Sequence, residues 1–188
     1  GDDLKIYHDA SNSYIDETGT GSLILRASPS IEFRKAGSTE KMLYAEPDAQ
    51  VELYYDNVKT FETKSNGVIV QGTEGQNAEL LLYADEGDDN ADKWRLKVDT
   101  NGQLEISNYA SGSYEKNIEC NGNGNVELYY DGAVQINTTS TGVTLGDSKR
   151  IDFGDGTDLQ IYSDGTDSII KSRAGNALGF HAATAWFR

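Results

Sequence analysis

The densest group of residues capable of chemistry is acidic. Residues 85–92 read Asp-Glu-Gly-Asp-Asp-Asn-Ala-Asp and hold five carboxylates in eight positions. Hard oxygen ligands at this density suit Ca²⁺, although the glycine and terminal glutamate of an EF-hand loop are misplaced. Residues 154–159 resemble part of a calcium-binding β-roll nonapeptide, but the motif occurs once. We expect no cofactor, with calcium as the alternative to solvated acidic loops. The candidate ligands are Asp85, Asp88, Asp92, Asp155 and Asp158.

Paired carboxylates suggest a second chemistry, the cleavage of glycosidic bonds, which needs two carboxyl groups roughly 5–9 Å apart. Glu52 and Glu127 attract notice because each lies inside the hexapeptide Val-Glu-Leu-Tyr-Tyr-Asp, at 51–56 and at 126–131. Both alternate with apolar residues, which predicts a solvent-facing or subunit-bridging position on the other strand face, beside Tyr54 and Tyr129. A residue that recurs is a poor unique active site, so we expect no catalytic residues and no enzyme activity.

The cysteine and histidine residues do not form a catalytic or zinc-binding pattern. Cys120 is the only cysteine, and it stands where Ala45 stands 75 residues earlier, which favours a small buried residue over a nucleophile. His8 and His181 are the only histidines, and Ser163 replaces His8 in a related motif. No zinc spacing and no histidine-based triad can be assembled from these residues.

Aromatic side chains outside the repeated motifs are candidates for receptor contact, because their faces can stack on pyranose rings. They bear equally on strand packing, where aromatic residues are favoured. The four candidates lie outside regular strands or near the end of the sequence: Tyr109, Tyr114, Trp186 and Phe187.

The elements that position these residues are predicted to be short β-strands. Apolar residues alternate with period two in nearly every apolar stretch, for example in residues 4–6, 31–33, 51–55, 104–106 and 151–153. No segment shows a capped apolar pattern of helical period, and only residues 86–92 suggest a short helical turn. We therefore predict an all-β chain with under about a tenth helix.

The clearest predicted element is a β-hairpin over residues 93–107. Trp94, Leu96 and Val98 are predicted to share one face, with Arg95 and Lys97 turned to solvent. Asn101-Gly102 between two alternating segments predicts a type I′ turn with positive φ at both central residues.

The chain repeats itself, which predicts an array of like units. Residues 31–72 and 106–147 align without a gap at an offset of 75 and match at 15 of 42 positions, and residues 1–9 return as 156–164. Within the aligned units Lys59 becomes Val134 and Phe61 becomes Ile136, which we interpret as apolar-tolerant positions. The predicted organisation is a flanking β motif (1–27), a repeat unit (28–72), an insertion with the hairpin (73–105), the second repeat unit (106–147), and the flanking motif with a terminal segment (148–188).

Composition narrows the classes of function. The chain has 188 residues, 37% of them hydrophobic and 20 of them glycine, which is thin material for a large core and favours an elongated shape with apolar partners on other subunits. Its 31 acidic and 16 basic residues give a net charge of −15, which argues against nucleic acid and anionic membranes as partners. No stretch approaches the roughly 20 apolar residues of a membrane span, so we expect no membrane insertion. We also expect no signal peptide.

Three stretches resemble repeats of tail-fibre and related virion structural proteins of marine tailed phages, cyanophages in particular. They are residues 3–15 (DLKIYHD with SYI), 51–68 (VELYYDN with ETKSNGV) and 89–113 (DNADKWRL with NYASGS). The resemblance implies a homotrimeric, β-rich fibre. We expect the chains to be intertwined in a β-prism or triple β-helix, with small β-sandwiches threaded on a stalk as the alternative. The resemblance also implies a virion location, outside the cell when functional, and a role in host recognition or spacing. It supplies no catalytic motif.

The sequence thus leads to one expectation and two alternatives. We expect a structural and adhesive segment of a phage tail fibre whose partners are itself, other virion proteins, and a host cell-surface glycan or protein. One alternative is a depolymerase-type fibre that acts on host surface glycans, and the other is a calcium- or sugar-binding adhesin domain.

Overall fold

The computed structural model describes residues 3–179, and in that range regular structure consists of β-strands and two 3₁₀ turns. The 3₁₀ turns are Asp85–Gly87 and Asn90–Asp92, in the segment where the sequence suggests a helical turn. The strands form four antiparallel sheets, each joined in chain order and none closed on itself. The prediction of an all-β chain with little helix is confirmed.

The chain divides into two compact units, Gly1–Gln71 and Gly72–Arg188. The first unit holds a two-stranded and a five-stranded sheet. The two-stranded sheet comprises β1 (Leu4–His8) and β2 (Ser13–Glu17). The five-stranded sheet comprises β3 (Ile31–Arg34), β4 (Lys41–Ala45), β5 (Val51–Tyr55), β6 (Val58–Lys64) and β7 (Gly67–Val70).

The second unit holds a seven-stranded and a three-stranded sheet. The seven-stranded sheet comprises β8 (Ala78–Tyr83), β9 (Lys93–Val98), β10 (Gln103–Asn108), β11 (Glu115–Asn121), β12 (Val126–Tyr130), β13 (Ala133–Thr139) and β14 (Gly142–Thr144). The three-stranded sheet comprises β15 (Arg150–Phe153), β16 (Leu159–Ser163) and β17 (Ser168–Ser172).

The predicted hairpin is present, but its turn differs from the prediction. β9 and β10 pair with Val98 opposite Leu104. The N–H of Gly102 donates to the carbonyl of Asp99, and only Gly102 has a positive φ, of 79°. This is a three-residue loop with glycine in the left-handed position, because the Asp99 carboxylate accepts the N–H groups of Asn101 and Gln103 and holds the longer loop.

Two-residue type I′ turns occur elsewhere, at equivalent places in the two larger sheets. Asp56 and Asn57 have φ of 47° and 60° between β5 and β6, and Asp131 and Gly132 have φ of 50° and 70° between β12 and β13. Both central residues of each turn are thus left-handed, as this turn type requires.

Strands β4–β7 and β11–β14 pair in the same registers at an offset of 75 residues. Leu43 faces Leu53 as Ile118 faces Leu128, and a β-bulge interrupts β5–β6 and β12–β13 at matching positions. A shared hydroxyl contact accompanies the register, since the N–H of Val51 donates to Thr63 Oγ1 and that of Val126 to Thr138 Oγ1, both at 2.8 Å.

The gapless alignment fails at the first strand of each group. Phe33 faces Leu43, whereas Ile106 faces Ile118, so β3 corresponds to β10 at an offset of 73. Between Arg34 and Lys41 lie residues 35–40, whereas residues 108–115 lie between the equivalent Ser107 and Lys116. The two extra residues are Asn108 and Glu115, which form one more strand pair, so the loops themselves have equal length. The sequence match of Ile31 with Ile106 does not join equivalent positions.

Candidate functional site

The largest surface feature is an uncovered apolar face on each sheet. In the five-stranded sheet one row of paired residues crosses all the strands, and it contains Phe33, Leu43, Leu53, Phe61 and Val70. In the seven-stranded sheet the corresponding row contains Leu80, Leu96, Ile106, Ile118, Leu128 and Ile136. Successive side chains of a strand point to opposite faces, and directly paired residues share a face, so each row lies on one face of its sheet.

The smaller sheets carry the same kind of face. Ile6 pairs with Ile15 across β1–β2, and Ile151, Ile161 and Ile170 form a row across β15–β17. Each of these five isoleucines is at least 40% exposed. All four sheets therefore present apolar side chains to the outside of the single chain.

Burial in residues 3–179 is the reverse of that in a self-contained domain. No hydrophobic residue in this range is buried, whereas the five buried residues are Glu52, Glu62, Glu105, Ser107 and Glu119. Soluble proteins normally bury their aliphatic residues and leave glutamate exposed. Within residues 3–179 these apolar faces are therefore exposed to water, which is unfavourable for aliphatic side chains.

The opposite, polar face of the five-stranded sheet is organised around two buried glutamates. Glu52 and Glu62 face each other across β5 and β6. Lys59 bridges them, with its Nζ 3.1 Å from Glu52 Oε1 and also bonded to Glu62, and Lys64 lies 2.7 Å from Glu62. The Tyr54 hydroxyl donates to Glu52.

These contacts set the protonation of the cluster. The hydrogen bond from Tyr54 holds the pKa of Glu52 below its usual range, against the opposing effect of burial, and Lys59 acts in the same direction. Hydrogen bonds from Lys59 and Lys64 likewise lower the pKa of Glu62. Burial and the bond to Glu52 raise the pKa of Tyr54 to about 12. The glutamates are therefore ionised at neutral pH, and the tyrosine keeps its proton.

The seven-stranded sheet has an equivalent polar face. Glu105 forms ion pairs with Arg95 Nη2 and Lys97 Nζ, each at 2.7 Å. Its cross-strand neighbour Glu119 forms an ion pair with Lys116. Burial acts to raise the pKa of Glu105, but the hydrogen bonds from Lys97, Arg95 and Ser107 outweigh it, so this pKa lies below its usual range.

The basic residues of β9 are not turned to solvent as predicted. The Arg95 and Lys97 side chains are 15% and 16% exposed, whereas Trp94 and Val98 on the other face are 41% and 48% exposed. The prediction of which residues share a face is correct. The prediction that the basic face is exposed is wrong, because the basic side chains form ion pairs within the sheet.

Glu52 is likewise not solvent-facing, since only 8% of it is exposed and its partners lie within its own sheet. Its counterpart Glu127 is half-buried and accepts the hydroxyl of Tyr129. A glycosidase acid must hold a proton near neutral pH through a raised pKa. The lowered pKa values of Glu52, Glu62 and Glu105 do not meet that requirement.

The change from Lys59 to Val134 has a different meaning from the apolar tolerance predicted. Lys59 lies on the polar face and neutralises Glu62, and the residue equivalent to Glu62 is Asn137. The lysine and its carboxylate partner are thus both replaced in the second repeat unit, residues 106–147. Phe61 and Ile136, by contrast, both lie in the apolar rows.

The acidic segment brings together part of the predicted calcium set. Carboxylate oxygens of Asp88, Asp89 and Asp92 lie within 4.8 Å of one another, and Asp85 is not part of this group. Two hydrogen bonds within this group form a capping box at the 3₁₀ turn Asn90–Asp92. Asp92 Oδ2 accepts the N–H of Asp89 at 3.3 Å, and the Asp89 side chain accepts the N–H of Asp92. Within residues 3–179, Asp155 and Asp158 do not join any such cluster.

Two of the four aromatic contact candidates lie together on the polar side of β10 and β11. The rings of Tyr109 and Tyr114 meet edge to face at 4.9 Å, and the Arg95 guanidinium lies 4.1 Å from the Tyr114 ring centre. Both tyrosines are half-buried. Trp186 and Phe187 lie outside the described residues.

Cys120 and His8 occupy simple settings. Cys120 is half-buried in an apolar-face row between Leu104 and Val126, as Ala45 lies between Ile31 and Val51. His8 is exposed, with Nδ1 3.3 Å from the Ser13 hydroxyl. His181 lies outside the described residues.

Sequence reasoning missed the importance of Glu62, Glu105 and Glu119. Their signal is that each alternates with apolar or small residues in a strand and is paired, across one strand spacing, with another glutamate. Seeing that pairing requires the strand register, which turn lengths decide and which the gapless alignment misplaces at β3.

Comparison with protein-family models, with curated proteins and with solved structures gives no match. Among residues 3–179, no helix is long and apolar enough to cross a membrane.

Proposed function

We propose that this chain is a structural and adhesive segment of a phage tail fibre that assembles with copies of itself through the apolar faces of its sheets. The observation that carries the proposal is the reversed burial. Four glutamates are buried, whereas every sheet has exposed side chains of leucine, isoleucine, valine or phenylalanine.

The size of the exposed apolar surface supports assembly. Apolar burial stabilises by roughly 25 cal/mol per Å², and contiguous exposed patches beyond a few hundred Å² mark interaction surfaces. The polar faces of the two larger sheets need no partner of this kind, because their buried glutamates are ion-paired within the sheet. Assembly through the apolar face therefore leaves the ion-paired face outward.

The fibre assignment rests on the resemblance of three sequence stretches to tail-fibre repeats of marine tailed phages. On that basis the assembly is a homotrimer located on the virion, its neighbours are other virion proteins, and its target is a glycan or protein on the host cell surface. Several copies displayed together raise weak contacts to useful binding through avidity.

The chain works without catalysis under this proposal. The lowered pKa values of Glu52, Glu62 and Glu105 make these three carboxyl groups poor candidates for the proton donor that a depolymerase needs. Incubation of the purified chain with host polysaccharide tests this point. We expect no new reducing ends, and their release would support the depolymerase alternative.

Sedimentation velocity of the purified chain tests the assembly. We expect a folded species of about three chain masses that persists on dilution, because each copy buries its apolar faces on the others. A folded monomer of 20.5 kDa would contradict the proposal. Immunogold labelling of virions with antibodies against the chain tests the location, and we expect the label on the tail fibres.

A further inference from the structure

We infer that copies of this chain meet like sheet against like sheet, so that the apolar face around Cys120 in one copy lies against the same face of the next copy. The partner is a second copy of this chain, and the inference rests on the self-assembly proposed above. It adds which surface meets which.

Two central rows on the apolar face of the seven-stranded sheet carry no charged residue, whereas the row of Leu82 and Trp94 ends at Glu115. In the seven-stranded sheet the row from Leu80 to Ile136 is wholly aliphatic, and the next row contains Ala78, Val98, Leu104, Cys120 and Val126. A partner that fits such a face must be equally free of charge there, because burial of an unpaired charge is costly. The two central rows of the same face in a second copy meet that condition.

The widths of the sheets select like against like. The four sheets contain two, five, seven and three strands. Neighbouring strands lie roughly 4.8 Å apart, so the seven-stranded face is about 10 Å wider than the five-stranded face. Pairing the five-stranded with the seven-stranded sheet would leave about two strands of apolar surface uncovered, whereas three copies that turn the same sheet toward a three-fold axis present faces of equal width to one another.

The exposed area agrees with a stable interface. On the apolar face of the seven-stranded sheet, nine large side chains are 36–76% exposed: Leu80, Leu82, Trp94, Val98, Leu104, Val126, Leu128, Tyr130 and Val143. At on the order of 150 Å² for a large side chain, half exposure of nine gives roughly 700 Å². A standard interface buries about 800 Å² per partner.

Cys120 makes the arrangement measurable. It is the only cysteine of the chain, and it lies within the apolar face between Leu104 and Val126. Packed sheets lie about 10 Å apart, so a bismaleimide of about that span joins facing cysteines of two copies. Alanine is a suitable replacement, because Ala45 occupies the equivalent place in the five-stranded sheet.

The experiment treats the unmodified chain with the bismaleimide and separates the products on a denaturing gel. We expect cross-linked chains from Cys120. The matched control is Cys120→Ala with Leu81→Cys, because Leu81 is 46% exposed on the polar face of β8, and we expect this control to stay uncross-linked. Cross-linking at position 81 without cross-linking at Cys120 would overturn the inference.

A mixed assembly tests like against like. A size-tagged chain with Cys120→Ala and Leu53→Cys carries its thiol on the five-stranded sheet, and it is refolded together with the unmodified chain. We expect cross-links within each kind only, whereas links between the thiol introduced at position 53 and Cys120 would overturn the inference. Sedimentation separates the two failures, since a monomer contradicts the proposed function itself and an oligomer with the wrong cross-links contradicts only the sheet pairing.

Discussion

At the scale of single residues, the polar faces show how glutamate can be buried in a sheet without loss of charge. Glu52, Glu62 and Glu105 each accept at least two hydrogen bonds from lysine, arginine, serine or tyrosine side chains of their own sheet. A carboxylate is tolerated in a poorly solvated place only when it is paired and hydrogen-bonded. The lysine and arginine stems lie over the sheet and provide the cover.

This pairing makes stability depend on pH. The pKa of Glu105 is lowered in the folded chain, so its stabilising contribution is present above its ordinary value of 4.5 and is lost as the pH falls from there through the lowered pKa. We expect Glu105→Gln to unfold at lower urea concentration than wild type at pH 7 and to lose less of its stability on acidification to pH 3. The measurement is the urea midpoint at both pH values.

The matched control is Glu79→Gln, because Glu79 also pairs with Arg95 but is 35% exposed. It should change the midpoint at pH 7 only slightly and keep the acid sensitivity of wild type. An equal loss on acidification for Glu105→Gln and wild type would show that Glu105 is not a source of the pH dependence.

The paired change between the two units gives a second test at this scale. Lys59→Val removes the cation that contacts both Glu52 and Glu62, so we expect the thermal midpoint to fall by several degrees. Adding Glu62→Asn reproduces the Val134 and Asn137 pair of residues 106–147 and should restore part of the loss in thermal midpoint. Differential scanning calorimetry measures both, and a double variant less stable than Lys59→Val would refute the compensation.

At the scale of the elements, turns determine which residues face each other. Period-two alternation was sufficient to predict the strands, because it depends only on neighbouring residues. The turn at 99–102 could not be predicted from Asn101-Gly102 alone, since the carboxylate of Asp99 two positions earlier selects the longer loop. The side chains that cover Arg95 and Lys97 also come from other strands, so their burial depends on long-range pairing.

The type I′ turn at Asp131-Gly132 provides a test of turn energetics. Gly132 has a φ of 70°, and a Cβ there would meet no atom within 4 Å, so Gly132→Ala introduces backbone strain without a clash. We expect a loss of about 1–2 kcal/mol in the free energy of unfolding, measured by urea denaturation.

Gly146→Ala is the matched control, because that glycine also has open space and its φ is not positive. It should leave the free energy of unfolding unchanged within error. Equal effects of the two substitutions would assign the loss to something other than the left-handed conformation.

At the scale of the whole molecule, composition indicated that the chain lacks material for a core of its own, and the burial pattern agrees for residues 3–179. What composition could not give is the location of the uncovered surface. That location follows from the register of each sheet, which places the aliphatic positions of β9–β12, and Ile136 of β13, on one side.

Substitution on that side should therefore act on assembly. Leu128 is 39% exposed in the aliphatic row, and Leu128→Asp places a charge on the face through which we propose that copies assemble. We expect sedimentation velocity to show loss of the oligomer at concentrations where wild type remains assembled. Leu81→Asp, on the polar face, should sediment as wild type, and dissociation of both variants alike would contradict the assignment of the interface.

The additional pair at the end of β10 and β11 shows how a strand pair of this protein can change in length. The second unit differs from the first by two residues there, and the apolar side chains of β10 still share the face of β11. A slip of one residue would have turned every leucine and isoleucine of the strand to the charged side, whereas a slip of two restores the original side. A two-residue difference within a strand pair of this protein therefore keeps the aliphatic side chains on the same face of the sheet.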